Sequence, residues 1–281
     1  MNFTKLHGTG NDFIVVDARD LDRDWSKLSE RICDRHFGVG ADGLLIVRVS
    51  DDADLRMRLF NSDGSEAEMS GNGLRCFVKY AVDHGLVPQR EGIVTVETLA
   101  GLLSSFATLS NGRVQSVRVG MGRPRFDPQE IPVAVEAKPP IKDHPLEVEG
   151  QTLAVTCLSM GNPHAVHFVD RPVDSYPLEE IGPKVEHHPL FPNRVNFEVA
   201  RVLARDSIDV RVWERGVGET LACGTGVSAT VVAARLHDLV GQVVEVQQPG
   251  GTLVVEWDGE DEVFLTGPAE EVFQGEWDEG G

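Results

Sequence analysis

The 281-residue sequence predicts an α+β fold of two pseudo-symmetric halves, each a bent mixed or antiparallel sheet around a central helix. Three observations predict it. An internal repeat divides the chain. Short β-branched or alternating runs dominate both halves. In each half one apolar helix follows a glycine-rich turn. The length agrees, since domains of roughly 150 residues put two of them in this chain.

The repeat appears when FNSDGSEAEMSGNG (60–73) is set over WERGVGETLACGTG (213–226), an ungapped offset of 153 (213 − 60). Glu66 meets Glu219, Gly71 meets Gly224 and Gly73 meets Gly226. An aromatic opens both segments, and the apolar stretches LRCFVKYAV and VSATVVAAR follow them. Upstream, Gly10-Asn11 leads into DFIVVD and Gly161-Asn162 into PHAVHFVD, at an offset of 151 (161 − 10). Two matches in the same order at nearly equal offsets indicate duplication.

In chain order, strands are expected at 12–16, 44–49, 93–98, 114–119, 195–203, 208–213, 243–247 and 252–257, with Gly, Asp or Pro between them. Residues 28–38, LSERICDRHFG, read as a helix, because Leu28, Ile32 and Arg35 share helical spacing and Gly38 supplies a stop. Two further helices are expected, one after Gly71-Asn72-Gly73 and one from about Thr225. The stretch 123–145 holds Pro124, Pro128, Pro132, Pro139, Pro140 and Pro145, which makes it a poor helix and a suitable domain crossing. The expected domains are 1–122 with 267–281, and 123–266, with the site in the cleft between them.

Composition excludes several classes of function. The net charge of −19 argues against nucleic acid, which demands a basic face, and against anionic lipid. Ten of the acids fall in 256–281, which has no Lys or Arg and reads as a solvated end. No apolar run approaches the roughly 20 residues that span a bilayer. The start, MNFTKLHGTGND, lacks the apolar region of a secretory signal. Cys33, Cys76, Cys157 and Cys223 are scattered without a CxxC pair, which reads as reduced thiols in a cytoplasm.

The chemistry concentrates at the two glycine-rich turns. Gly224 and Gly226 are read as allowing backbone angles that a side chain forbids. The first amides of the following helix lack partners inside it and attract an anion such as a carboxylate. Cys223 at that point is expected to have a lowered pKa, as a base or nucleophile needs. Taken alone, it reads equally well as a buried structural cysteine. In the other half Ser70 takes its place (223 − 153), and Gly71-Asn72-Gly73 repeats the amides. His164, in Gly161-Asn162-Pro163-His164, is by itself a hydrogen-bonded strand-end histidine. Glu214-Arg215 is by itself a surface pair of little weight, and Asn61 a turn residue before Asp63-Gly64. The two-fold pattern raises all of them. Moving a proton between the faces of a carbon needs an acid and a base on opposite sides, and duplicated halves supply that arrangement. No lysine motif or ligand cluster points to a cofactor or metal. The neighbours His187 and His188 point in different directions within a Pro-rich loop.

The segments HGTGNDFIVVD, RHFGVGADGLLIV, NSDGSEAEM-x-GNGLRC, GNPHAV, RVNFEVA and WERGVGETLACGTG resemble diaminopimelate epimerases, from Phe3 to at least Gly267. The resemblance implies a cofactor-independent isomerase of the lysine and peptidoglycan precursor pathway. Its substrate would be a small molecule, as LL- and meso-2,6-diaminopimelate, and it would be cytoplasmic and a homodimer. It implies that Asn11, Asn61, Asn162, Asn196, Glu214 and Arg215 bind the distal end of the substrate or line the site. The amides of Gly71-Asn72 and Gly224-Thr225 would hold the carboxylate at the reacting carbon. Cys223 would be one of two catalytic thiols, with His164 and Glu214 assisting proton movement.

One departure is central: the family's second catalytic cysteine stands where this chain has Ser70. Cys76, six residues on, lies inside the helix and is not assigned the role. A hydroxyl does not become an anion readily at neutral pH without a base beside it. Three explanations compete: a deliberate substitution that quiets the enzyme, a natural variant that works slowly or with help from a neighbour such as His164, and a changed substrate or reaction. A weakened two-base epimerase is favoured. The alternatives are a racemase or isomerase of another amino acid on the same scaffold, and a non-catalytic amino-acid-binding protein. A smaller departure is Gly43, where some members have a substrate-contacting glutamine.

Overall fold

The computed structural model describes residues 1–88 and 92–278. Two compact units emerge, Met1–Gly120 with the chain from Thr266 onward, and Met121–Leu265. The proline stretch 123–145 lies wholly in the second, and its Pro145 sits within a strand.

The first unit opens with β1 (Asn2–Gly8) and β2 (Asn11–Asp17), an antiparallel pair. Next come α1 (Trp25–Ile32), β3 (Gly43–Arg48) and β4 (Leu55–Asn61), with β3 parallel to β2 and antiparallel to β4. A short β5 (Glu66–Ala67) precedes α2 (Gly71–Asp83), after which β6 (Ile93–Thr98) returns parallel to β4. The strands β7 (Gly101–Ser110) and β8 (Arg113–Gly120) continue antiparallel.

The second unit opens with β9 (Ile141–Val148), β10 (Gln151–Ser159) and β11 (Pro163–Phe168). Then follow α3 (Leu178–Glu186), β12 (Asn196–Ala204), β13 (Ser207–Glu214), β14 (Gly218–Thr220), α4 (Gly224–Leu236), β15 (Val243–Gln248) and β16 (Gly251–Glu256). Its pairings repeat those of the first unit: β11 is parallel to β12, β12 antiparallel to β13, and β13 parallel to β15. The chain leaves through β17 (Phe264–Gly267) and ends the described part with β18 (Glu270–Glu276), antiparallel to β1. So β18 stands to β1 as β9 stands to β10, although one follows its partner in sequence and the other precedes it. Met1 and Trp277 exchange terminal hydrogen bonds of 2.8 and 2.7 Å.

Central strands are apolar on both faces, because each covers a helix on either side. Ile14 and Val16 of β2 and Leu44 and Ile46 of β3 pack with Trp25, Leu28 and Ile32 of α1. The alternate residues Phe13 and Leu45 lie near Gly73 of α2. Every residue of α2 from Gly71 to Val82 is buried, as suits a helix enclosed by its sheet. In the second unit Ala165, Phe197 and Val199 pack with Leu178, Ile181 and Val185 of α3.

Two expectations are corrected. The helix placed at 28–38 runs instead over Trp25–Ile32. Asp24 caps its start by accepting from the Lys27 amide, and beyond it Asp34 takes the amides of His36 and Phe37 into a turn. The Pro-rich loop before His187 is in fact α3, which carries Pro183 inside it and is held by its packing rather than by propensity. The acidic end is solvated, its described acids being exposed or half-buried, but it is not without structure: β17 and β18 run through it, and Glu271 bonds His84 at 3.0 Å. Residues 279–281 of that end lie outside the described residues.

Candidate active site

The two glycine-rich turns fold alike. Ser70 and Cys223 are the N-caps of α2 and α4, with extended backbones at φ −140°, ψ 126° and φ −130°, ψ 109°. Each side chain accepts from the amide three residues on: Gly73 N to Ser70 Oγ at 3.1 Å, and Gly226 N to Cys223 Sγ at 3.4 Å. The remaining first-turn amides, at Gly71-Asn72 and Gly224-Thr225, are those a helix start offers to an anion. The second glycine of each turn is required by crowding rather than by unusual angles. A Cβ on Gly226 would meet Glu198 Oε1 at 3.1 Å, and one on Gly73 would meet the Ser70 Cβ at 3.3 Å.

An asparagine from the preceding Gly-Asn turn braces each helix start. Asn72 Nδ2 donates to Asn11 Oδ1 at 3.1 Å, and Asn162 Nδ2 donates to Thr225 Oγ1 at 3.2 Å. Behind Asn11 stands a charged network. Asn11 Nδ2 donates to Asp42 at 2.7 Å, and Arg35 bridges Asp42 and Asp12 at 2.7 and 2.8 Å. Lys5 completes it with Asp12 at 2.6 Å. Burial raises the Asp12 pKa, but its bonds to Arg35 and Lys5 outweigh that and hold it at about 2.

Behind Asn162 the second unit is different. His164 is fully buried, with Nδ1 at 2.7 Å from Glu198 Oε1 and Nε2 at 2.8 Å from Asn162 Oδ1. Both ring nitrogens are therefore engaged within this unit. The first unit has Phe13 and Leu45 at the matching places, carbon where the second unit has a histidine and a carboxylate.

The remaining candidates sit at strand ends. Asn61 is exposed and donates to Ser65 Oγ at 3.0 Å inside its turn. Its repeat mate Glu214 (61 + 153) accepts from Thr220 Oγ1 at 2.5 Å. Asn196 is buried, donates to the Pro163 carbonyl at 3.1 Å and accepts from the Arg215 amide at 2.8 Å. The Arg215 guanidinium is exposed and bonds the Asn193 carbonyl at 3.1 Å. Gly43, the mate of Asn196, has no room for a side chain: a Cβ there would lie 2.9 Å from the Phe60 carbonyl oxygen. Bidentate Arg58–Glu66 and Arg211–Glu219 pairs, again 153 apart (211 − 58), lock the hairpins that lead into the two helices.

The thiol expected to be acidified is not. Burial pushes Cys223 well above its ordinary value, and the Glu214 charge adds to this. Bonds from Thr225 and the Gly226 amide oppose it. Burial therefore favours the thiol form. Cys76 is fully buried inside α2, its thiol pushed up to about 12 by burial. Three contacts escaped the sequence reading. Glu198 backs His164, Gln248 Oε1 accepts from the Cys223 amide at 3.2 Å, and Asp42 holds Asn11. Only Glu198 left a signal, as the one acid in the buried run Asn196–Ala200, opposite an apolar Leu45 in the repeat.

Residues 3–126 and 156–272 match the diaminopimelate epimerase family. The chain is 48% identical over 280 residues to a diaminopimelate epimerase of Acetivibrio thermocellus, covering 99% of each chain. It is 49% identical over 280 residues to one of Moorella thermoacetica, again covering 99% of each. Among solved structures it resembles a Bacillus anthracis phenazine biosynthesis protein of the PhzF family, with TM-score 0.71 and 20% identity over 98% of this chain and 97% of that one. It also resembles a probable proline racemase from Agrobacterium radiobacter K84, with TM-score 0.69 and 18% identity over 99% and 93% of the two chains. These two structures share the fold, two α+β units with a large mixed sheet and few helices.

Proposed function

The chain belongs to the diaminopimelate epimerase family and is an isomerase, and from that premise we propose that it interconverts LL- and meso-2,6-diaminopimelate by a two-base transfer of the α-proton, slowed by Ser70. The observation that carries this reading is the repeated helix start: Ser70 and Cys223 cap equivalent turns, each beside amides suited to a carboxylate.

In the proposed reaction one half-site removes the α-proton and the other returns a proton to the opposite face. The electron pair left on carbon is drawn into the carboxylate. The amides of Gly71-Asn72 and Gly224-Thr225 hold that carboxylate, and their dipoles oppose its growing charge. Asn11, Asn72 and Asn162 are braced by their neighbours and so present fixed polar groups. Asn61, Asn196, Glu214 and Arg215 are assigned to the distal amino-acid end. His164, fully buried, acts on the site through Asn162 rather than by touching substrate.

The limiting step is at Ser70. Its Oγ accepts from Gly73, and the residues under that turn are Phe13 and Leu45, which supply no base. A hydroxyl in that setting passes on a proton but does not hold a negative charge. The loss of one partner in acid–base catalysis is worth on the order of 10²–10⁴ in rate. The test is incubation with each diaminopimelate stereoisomer in heavy water, following deuterium at Cα and configuration together. Slow exchange with inversion, abolished by Cys223→Ala, supports the reading. Binding without exchange would show an amino-acid-binding protein instead. Turnover confined to another amino acid would move the chain to a different substrate.

A further inference from the structure

The two half-sites differ most in what lies behind the capping residue. In the second unit a continuous chain of hydrogen bonds runs from Glu198 Oε1 to His164 Nδ1 (2.7 Å), from His164 Nε2 to Asn162 Oδ1 (2.8 Å), from Asn162 Nδ2 to Thr225 Oγ1 (3.2 Å) and from Thr225 Oγ1 to Cys223 Sγ (3.5 Å). Its direction is fixed by its members. Asn162 turns its amide nitrogen to Thr225, so its oxygen accepts from His164 and Nε2 carries a proton. The Thr225 oxygen already accepts from Asn162, so its own hydrogen is free to point at sulfur.

The far end follows from distance. Two lone pairs do not face one another at 2.7 Å in a site where both side chains are fully buried, so a proton lies between Nδ1 and Oε1. The pair is then neutral as a unit, whichever atom holds that proton. The other oxygen, Glu198 Oε2, is buried without a partner among the described residues, which a full anion there would not tolerate cheaply. The titratable groups facing Glu198 are His164 on β11, Cys157 on β10, Glu214 on β13 and Cys223 on α4.

We propose that Glu198 is a positioning residue for Cys223: it fixes His164 as an Nε2–H donor, and through Asn162 and Thr225 this aims a hydroxyl hydrogen at the sulfur that gives up and recovers a proton. The first unit has Leu45 and Phe13, both apolar, in the places of Glu198 and His164. The inference rests on the proton-transfer role proposed for Cys223. Its decisive readouts use no substrate, so they succeed or fail independently of the identity of the amino acid.

The experiment compares intact protein with Glu198→Gln, Glu198→Leu, Thr225→Val and the Leu/Val double variant. The rate of Cys223 alkylation by iodoacetamide is followed against pH by peptide mass mapping, and ¹⁵N-histidine spectra report the His164 ring. The amide of Glu198→Gln still donates to Nδ1 and should leave the alkylation midpoint unchanged. Glu198→Leu and Thr225→Val should each raise it by about one pH unit, the scale of one lost hydrogen bond to a thiolate. The double variant should rise no further than either single one, because both cut the same chain. Where turnover is measurable, kcat should fall on the order of tenfold with KM little changed, as for supporting partners elsewhere. A midpoint that falls in Glu198→Leu would show Glu198 acting as a bare charge. An unchanged midpoint, additive effects or an unprotonated Nε2 would equally overturn the proposal. If Glu198→Leu does not fold, the contrast between Glu198→Gln and Thr225→Val decides.

Discussion

Replacing Ser70 by cysteine copies a geometry the molecule already contains. The cap backbones at 70 and 223 differ by only 10° in φ (140 − 130) and 17° in ψ (126 − 109), so no main-chain change is needed. The electrostatic setting is not copied. Glu214 raises the Cys223 thiol, while the residue at the matching place, 153 earlier, is the neutral Asn61. The new thiol should therefore be the more acidic of the two, the resting base, with Cys223 the resting acid. Restoring that partner should speed epimerisation in heavy water by roughly 10²–10⁴, which is about 3–5 kcal/mol of barrier. The cost falls on the helix, since serine caps well and its 3.1 Å bond from Gly73 would weaken. That loss is about 1 kcal/mol at most, or ~2–4 °C in Tm for a unit of this size. A folded S70C variant whose new thiol titrates normally but whose rate does not rise would refute the assigned roles.

Other outcomes follow from single positions. Gly43→Gln should lower Tm rather than add a useful contact, because its Cβ would press on the Phe60 carbonyl at 2.9 Å; about 1–3 kcal/mol is expected from denaturant unfolding. Asp12 has its folded pKa depressed from 3.8 to about 2, so its stabilisation is present above pH ~4 and is lost as pH falls towards 2. Asp12→Asn should remove about 2 kcal/mol at pH 7 and much less near pH 2, as read from urea unfolding at both values. Cys76→Ala should leave deuterium exchange unchanged while costing on the order of 1 kcal/mol of stability, since Cys76 is packed inside α2.

Glycine-rich turns before apolar runs were legible because helix starts have strong local rules: α4 begins within a residue of the expected place, and α2 begins three residues early, taking in the glycine turn itself. Repetition did the rest, joining Ser70 to Cys223 and Glu66 to Glu219 without any three-dimensional information. The helix α3 was not legible, because Pro183 argues locally against it while its support, the buried Leu178, Ile181 and Val185, comes from residues distant in sequence. Strands such as β10 and β18 were missed for a similar reason: their mixed composition becomes strand-like only beside a partner. Neither the charge state of Cys223 nor the chain behind it could be read, since both depend on which side chains β11, β12 and β13 turn towards α4.

The pairing of β18 with β1 has an engineering consequence. Met1 and Trp277 are hydrogen-bonded neighbours, so positions 1 and 277 can be joined by a short linker. New ends opened between Gly120 and Met121 would then yield a permutant in which each unit is one uninterrupted stretch of chain, the order of a tandem gene. A second opening between Leu265 and Thr266 would divide the molecule into two separately expressed polypeptides, each carrying its own capped helix.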